Sequence, residues 1–127
     1  MAKLSLILEG KMVSGKNAIV VTRGGLHFPK PAFKKWRAEM TRQVLEQKPK
    51  AVMFTGPVHS YIEYTPGDLY RRDCTGIMDA LWHLAGPKWG AIVEDDSQFK
   101  AVVWKEMPLD REHPRVVWVV EDAEEGP

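Results

Sequence analysis

The sequence has one cysteine, no long apolar run and almost no net charge, and each shortage excludes a class of protein. With Cys74 alone, no disulfide can form within the chain, which fits a reducing cytoplasm. The longest fully apolar run, Val116–Val120, is too short to span a bilayer. The N-terminus lacks the basic head and long apolar run of a signal peptide. We therefore expect a cytoplasmic protein that does not enter a membrane.

The net charge of +1 hides an uneven distribution along the chain. Residues 1–50 contain 11 Lys and Arg but only 3 Asp and Glu, whereas residues 51–127 contain 7 and 14. A basic region suits a polyanion, and clustered acids suit metal ions. An ordinary solvated surface is the alternative interpretation of both regions.

The apolar pattern predicts a single α+β domain over residues 1–127, with a mixed β-sheet packed by two main helices. Three- and four-residue spacing predicts helices from Pro31 to about Gln47 and from Cys74 to Ala85, with Gly86 left-handed just beyond. Residues 122–127 are expected to be a frayed acidic tail. Alternation and turn residues predict strands at Lys3–Leu8, Ala18–Thr22, Leu26–Phe28, Val52–Phe54, Val58–Tyr64, Gln98–Met107 and Arg115–Glu121.

Acidic residues gather around the second predicted helix. Asp73 stands just before the helix, where a carboxylate can cap free backbone amides. Asp79 lies within the helix, where an exposed acid of no special role is the alternative. Glu94-Asp95-Asp96 follows an apolar run, and three adjacent acids repel one another unless a cation is near. An acidic turn between strands is nevertheless common, so the individual acids are less informative than their arrangement.

The arrangement resembles that of the RusA-type Holliday junction resolvases, a family found largely in phages and prophages. That family has basic residues followed by Asp-x-Asp-Asn, a helix ending near Asp-Ala-Leu, an apolar strand and Asp-Asp-x-Gln. The matching segments here are Arg71-Arg72-Asp73, Asp79-Ala80-Leu81 and Val93–Phe99. A strand, the segment Gly10–Asn17, a hairpin and a helix containing Trp36 extend the resemblance over nearly the whole chain.

The chain departs from the family pattern at the first acidic motif. Thr75 stands where the family has its second Asp, and Gly76 stands where it has Asn. Matching Asp79 to the family's Asp-Ala-Leu requires a deletion of four residues, about one helical turn. We hypothesise that Asp79, one turn after Thr75, restores the missing carboxylate. Asp95 or Glu94 could supply that oxygen instead.

The resemblance implies a metal-dependent endodeoxyribonuclease that nicks four-way DNA junctions. It implies Asp73, Asp79 and Asp96 as catalytic residues, and these three with Asp95 as ligands of Mg²⁺ or Mn²⁺. Two equivalent strands in the junction imply a homodimer. No nucleotide cofactor and no membrane partner are expected. The residues implied to bind DNA phosphates are Lys11, Lys16, Arg23, Arg71 and Arg72.

Two other functions remain open at this stage. One is a catalytically degenerate protein of the same fold that binds branched DNA without cutting it. The other is an unrelated binding domain whose acids serve only as turns and caps. The resemblance further implies a phage- or prophage-encoded protein that acts in the cytoplasm of a bacterial host.

Overall fold

The computed structural model of the chain describes residues 3–15, 19–21, 23–25, 27–50, 52–70 and 72–123. Within these residues, four strands form a mixed sheet in the order β1-β6-β4-β5, while β2 and β3 pair separately. The predicted single-domain α+β fold with two helices is thereby confirmed. The elements are β1 (Lys3–Glu9), β2 (Ile19–Val21), β3 (His27–Pro29), α1 (Pro31–Gln47), β4 (Val58–Thr65), α2 (Cys74–Leu84), a 3₁₀ turn (Asp96–Gln98), β5 (Phe99–Glu106) and β6 (Arg115–Asp122).

The order of strands and the crossover helix position the acidic motifs. β6 lies antiparallel between β1 and β4, whereas β5 runs parallel to β4. Parallel neighbours need a crossover connection, and α2 supplies it. The helix therefore begins near the end of β4 and returns to the start of β5.

One face of the sheet, the covered face, carries the core beneath the helices. Leu6 of β1, Ile62 of β4 and Trp118 of β6 are fully buried there, as period-two alternation predicts. The indole Nε1 of Trp118 donates a hydrogen bond of 2.7 Å to Ser60 Oγ, which satisfies both buried groups. On α1, the four residues predicted to form its apolar side are all buried: Phe33, Trp36, Met40 and Val44.

The loop after β1 approaches α2 at a pair of glycines. The backbone N–H of Gly15 donates to the carbonyl of Gly76 at 2.7 Å. A Cβ on Gly76 would lie only 2.2 Å from Ser14 Oγ, and one on Gly15 would lie 2.7 Å from the backbone nitrogen of Ala80. Only glycine allows this approach, which fixes the loop against the first half of α2.

Several predicted boundaries differ from the structure. Residues 52–54 form no regular strand, because only Phe54 makes an isolated parallel bridge, to Val93. The left-handed residue after α2 is Ala91, with φ of 52°, rather than Gly86. Asp122 belongs to β6 and is not part of a frayed tail, while residues 124–127 lie outside the described residues. Neither described helix has the length and apolar composition needed to cross a bilayer.

Candidate active site

Asp73 is the N-cap of α2, as the sequence predicts. Its Oδ1 accepts hydrogen bonds from the Thr75 backbone N–H at 3.2 Å and from the Thr75 hydroxyl at 3.0 Å. The residue is exposed to solvent. Thr75 thus helps to orient the carboxylate of Asp73.

Arg72 is bound by Asp68, an acid four residues earlier in the chain. Arg72 Nη1 lies 2.7 Å from Asp68 Oδ1, and Lys11 Nζ lies 3.3 Å from Asp68 Oδ2. The hydrogen bond from Arg72 is the main cause that lowers the pKa of Asp68 from 3.8 to about 2, and Lys11 adds to it. The side chain of Arg72 is only 16% exposed, whereas that of Lys11 is 58% exposed. Lys11 is therefore the more accessible of the two cations for a phosphate.

A cavity of about 780 Å³ lies at this end of the molecule, and we call it the Asp73 cavity. Its lining comes from the end of β4, the loop between β4 and α2, the N-cap of α2, the end of β5 and the residues after β5. Leu69 and Tyr70, on its rim, are among the most exposed large apolar side chains described. The lining residues are Tyr64, Pro66, Asp68, Leu69, Tyr70, Arg72, Asp73, Glu106, Met107, Pro108 and Leu109.

The second acidic motif, Glu94-Asp95-Asp96, is a rigid turn that we call the acidic bend. Asp95 caps the 3₁₀ turn by accepting from the Ser97 backbone N–H at 3.3 Å and from the Ser97 hydroxyl. These hydrogen bonds, the hydroxyl first, lower the pKa of Asp95. All three acids of the bend are exposed. The bend therefore presents exposed carboxylates on a turn that is held by hydrogen bonds.

Gln98 holds the acidic bend to the sheet, a role that the sequence did not reveal. Its Oε1 accepts from the backbone N–H groups of Glu94 at 2.9 Å and Asp95 at 3.0 Å. Its Nε2 donates to the carbonyls of Phe54 and Gly56, each at 2.8 Å. The Gln of the Asp-Asp-x-Gln motif is thus a structural residue here, which binds the bend to the segment before β4.

A second cavity, of about 330 Å³, contains the acidic bend and the C-terminal end of α2. Trp82, His83, Lys88 and Trp89 form its other side. Arg37 of α1 stacks over the Trp89 ring at 3.7 Å and contacts His83 Nε2 at 3.2 Å. Burial, followed by the charge of Arg37, lowers the pKa of His83. His83 is therefore neutral near pH 7.

Asp73 and the acidic bend lie at opposite ends of α2. The backbone N–H groups of Ile92 and Val93 donate to the carbonyl of Ala85, which ties the bend to the C-terminal end of the helix. The helix has 11 residues, so its ends are about 16 Å apart at about 1.5 Å per residue. In the described part of the chain, no three His, Cys, Asp or Glu side chains gather closely enough to hold a metal ion.

Of the remaining predicted site residues, Asp79 and Arg23 lie in the described part of the chain. Asp79 is exposed on α2 beside Gly15, and its role as a substitute ligand stays a prediction. Arg23 lies in the exposed turn between β2 and β3. Lys16 and Arg71 lie outside the described residues.

No protein-family model matches the sequence, and no curated protein is found to be similar to it.

Proposed function

We propose that this protein is a metal-dependent endodeoxyribonuclease that nicks four-way DNA junctions, the activity implied by its resemblance to RusA-type resolvases. The observation that supports this proposal is that both acidic motifs are exposed and capped. Asp73 and the acidic bend are exposed, and each is held in place by a helix cap. Fixed and exposed carboxylates are accessible both to a metal ion and to a phosphodiester.

The residues suit a hard cation in type but not in placement within one chain. Carboxylate oxygens are the ligands that Mg²⁺ prefers in proteins. A bound Mg²⁺ or Mn²⁺ supplies an activated water and neutralises charge on the reacting phosphate. Asp73 and Asp96 would contribute ligands from the two ends of α2, with Asp79 and Asp95 as further candidates. A single chain therefore supplies only parts of the ligand set.

Basic residues support the choice of DNA as the substrate. Lys11, in the segment after β1, is exposed beside Asp68, and Arg23 is exposed on the hairpin turn. Lys34 and Lys35 add positive charge on the solvent side of α1. Contacts of this kind bind phosphates without reading sequence, so junction binding should weaken steeply as salt is raised. The same resemblance places the proposed activity in the cytoplasm of a bacterial host, with a phage or prophage as its source.

A nicking assay on a synthetic four-way junction tests the proposal directly. The protein should cut in the presence of Mg²⁺ and stop when EDTA is added. Asp73→Asn should abolish cutting while leaving the protein folded, because Asn caps a helix about as well as Asp does. Glu112→Gln, which removes an exposed charge from the loop between β5 and β6, should cut normally. Cutting that persists in Asp73→Asn would contradict the assignment of that residue.

Asp79 has a separate test. If this residue replaces the carboxylate missing at Thr75, Asp79→Asn should also abolish cutting. Because Asp79 is exposed and does not cap a helix, the Asp79→Asn variant should melt at the same temperature as the unmodified protein. Full cutting by the variant would refute the replacement and leave the acidic bend as the source of the oxygen.

A second candidate function is branched-DNA binding without cutting. It is favoured by Thr75, which donates a hydrogen bond to Asp73 at 3.0 Å where the family has a second carboxylate. The same assay separates the two functions. Retention of the junction without nicks in Mg²⁺ indicates the binding protein, and neither retention nor nicks indicates a domain unrelated to DNA junctions.

A further inference from the structure

The loop between β4 and α2 carries two adjacent apolar side chains, Leu69 and Tyr70, which we call the apolar tip. Leu69 is 78% exposed and Tyr70 is 75% exposed, more than any other large apolar side chain that the structure describes. A single exposed apolar residue is ordinary on a protein surface. Two adjacent ones at the rim of a cavity are a place where another molecule can bind.

Hydrogen bonds fix the loop beneath the apolar tip. The carboxylate of Asp68 accepts from the backbone N–H of Tyr70 at 3.1 Å, and Arg72 Nη1 donates to the Tyr70 carbonyl at 3.4 Å. Before the tip, the carbonyl of Pro66 accepts from the backbone N–H of Asp110 at 2.9 Å. The chain is therefore held on both sides of the tip, which presents its side chains to solvent on a fixed support.

The ring of Tyr70 is oriented by the side chain of Arg72. The guanidinium carbon of Arg72 lies over the ring, 5.3 Å from its centroid, a distance at which a cation attracts an aromatic face. The same guanidinium is bound to Asp68 at 2.7 Å, so it cannot follow the ring freely. The ring is thus held from one side, and its high exposure leaves most of its surface for a ligand.

The surroundings of the apolar tip favour a nucleobase as that ligand. An aromatic ring stacks on the flat face of any base, and proteins that bind unpaired nucleic acid use aromatic residues in this way. Apolar side chains such as Leu enter between bases and separate them. Lys11, which is 58% exposed beside Asp68, supplies a cation for a phosphate of the same strand.

The apolar tip also adjoins the carboxylate that is proposed to act on DNA. Tyr70 and Asp73 both line the Asp73 cavity. They are three residues apart in the chain, so their Cα atoms are separated by about 11 Å at most. Successive bases of a strand are about 3.4 Å apart along a duplex. A base on Tyr70 therefore lies within about three nucleotides of a phosphate at Asp73.

We propose that the apolar tip distinguishes a four-way junction from a linear duplex, with Tyr70 stacked on a base that the branch point exposes and Leu69 inserted beside it. Inside a linear duplex each base is covered on both faces, so a stack on Tyr70 first costs the separation of a base step. At a branch point the stacking is already interrupted, and this cost is smaller. The proposal rests on the proposed function for its ligand, the junction, but it requires no cutting.

Binding measured in EDTA tests the apolar tip in the absence of cutting. Tyr70→Ala should raise the Kd for a four-way junction about tenfold, as the loss of one base–aromatic stack does, and change the Kd for a linear duplex less than about twofold. Tyr70→Phe keeps the ring and should bind both DNAs as the unmodified protein does. Leu69→Ala should also weaken junction binding. Leu45→Ala is its matched control, because Leu45 is 54% exposed on α1, and should change neither Kd.

Junctions that lack one base locate the contact. Each junction of a series carries one abasic nucleotide within about three nucleotides of the branch point. At the position that Tyr70 contacts, the unmodified protein and Tyr70→Ala should bind equally, because the stack is already missing. At the other positions the difference of about tenfold should remain. A difference that persists at every position would overturn the proposal, since Tyr70 would then act without contacting a base.

The ratio of the two Kd values separates a base contact from a general effect. If Tyr70→Ala weakens binding to junction and duplex equally, the ring only positions Arg72 for a phosphate, and the proposal is overturned. An unmodified protein without preference for the junction overturns it as well. So does a Tyr70→Ala variant that binds the junction normally, which would leave the apolar tip for a protein partner. A protein that prefers the junction but never nicks it in Mg²⁺ would refute the nuclease function alone, because the binding ratio still decides the role of the tip.

Discussion

The two edge strands of the sheet, β1 and β5, differ in whether described side chains bond their outer backbone groups. At the β1 edge, two glutamines of α1 take the place of a neighbouring strand. Gln43 accepts from the Glu9 backbone N–H at 2.7 Å and donates to its carbonyl at 3.0 Å. Gln47 does the same for Ile7, with both bonds at 2.8 Å. Each amide thus offers a residue of β1 the donor and acceptor that a paired strand would offer.

At the β5 edge, no described side chain plays that part. Its glutamine, Gln98, fixes the start of the strand to the segment before β4 and leaves the outer edge uncovered. Proteins generally blunt an edge strand because an open one invites pairing with other chains. The chain thus bonds the outer backbone groups of β1 with two amides and leaves Val102 and Val103 exposed on β5.

The largest effect is expected at Gln98, whose four hydrogen bonds hold the acidic bend and the start of β5. Gln98→Ala should lower the free energy of unfolding by roughly 2–4 kcal/mol, since a buried or half-buried hydrogen bond contributes about 0.5–1.5 kcal/mol. Urea denaturation measures this change. A loss below about 1 kcal/mol would show that the bend holds its position without this residue.

A smaller effect is expected at Gln43, which seals β1. Gln43→Ala should lower the free energy of unfolding by about 1–3 kcal/mol, because two hydrogen bonds to Glu9 are lost at a buried position. Gln47→Ala is the control. Gln47 makes the same pair of hydrogen bonds but is exposed, so water can replace its amide. Gln47→Ala should therefore lower the free energy of unfolding by only about 0.5–1 kcal/mol.

Removing both Gln43 and Gln47 would leave the outer edge of β1 as uncovered as that of β5. The double variant exposes the backbone of Ile7 and Glu9, so it should form higher oligomers as protein concentration rises, measured by light scattering. A double variant with the same size as the unmodified protein at all concentrations would indicate that the amides stabilise β1 without preventing its pairing with other chains.

Local sequence signals predicted most of the elements. Period-two alternation located β1 and β4, and three- and four-residue spacing located both helices, because these patterns depend on neighbours within a few residues. The cap formed by Asp73 was predicted for the same reason. Val52–Phe54 was apolar enough for a strand but forms only one bridge, since its position is set by contacts with Val93 far along the chain.

Contacts between segments that lie far apart in the chain could not be predicted from the sequence. Nothing near Gln43 indicates that its amide meets Glu9, 34 residues away. Asp68 and Arg72 are four residues apart, but nothing in the local sequence indicates that they form an ion pair. The order of the motifs suggested that Asp73 and Asp96 meet. Only the parallel pairing of β4 and β5 shows that α2 holds them apart within one chain.

The smallest effect concerns the acid titration of Asp68, which binds Arg72 and Lys11 in the loop between β4 and α2. Because the pKa of Asp68 is lowered from 3.8 to about 2, its contribution to stability is complete above pH 3.8 and is lost as the pH falls through about 2. Asp68→Asn should therefore melt at a lower temperature than the unmodified protein at pH 6, and the difference should vanish near pH 2. The pair is partly open to water and screened by salt, so the difference should be modest and smaller in 1 M salt, roughly as surface ion pairs behave. A difference that stays constant from pH 6 to pH 2 would mean that the amide disturbs packing in the Asp73 cavity rather than removing a charge. Such a result would show that Asp68, beside the proposed nuclease site, contributes to the shape of the cavity rather than to its electrostatics.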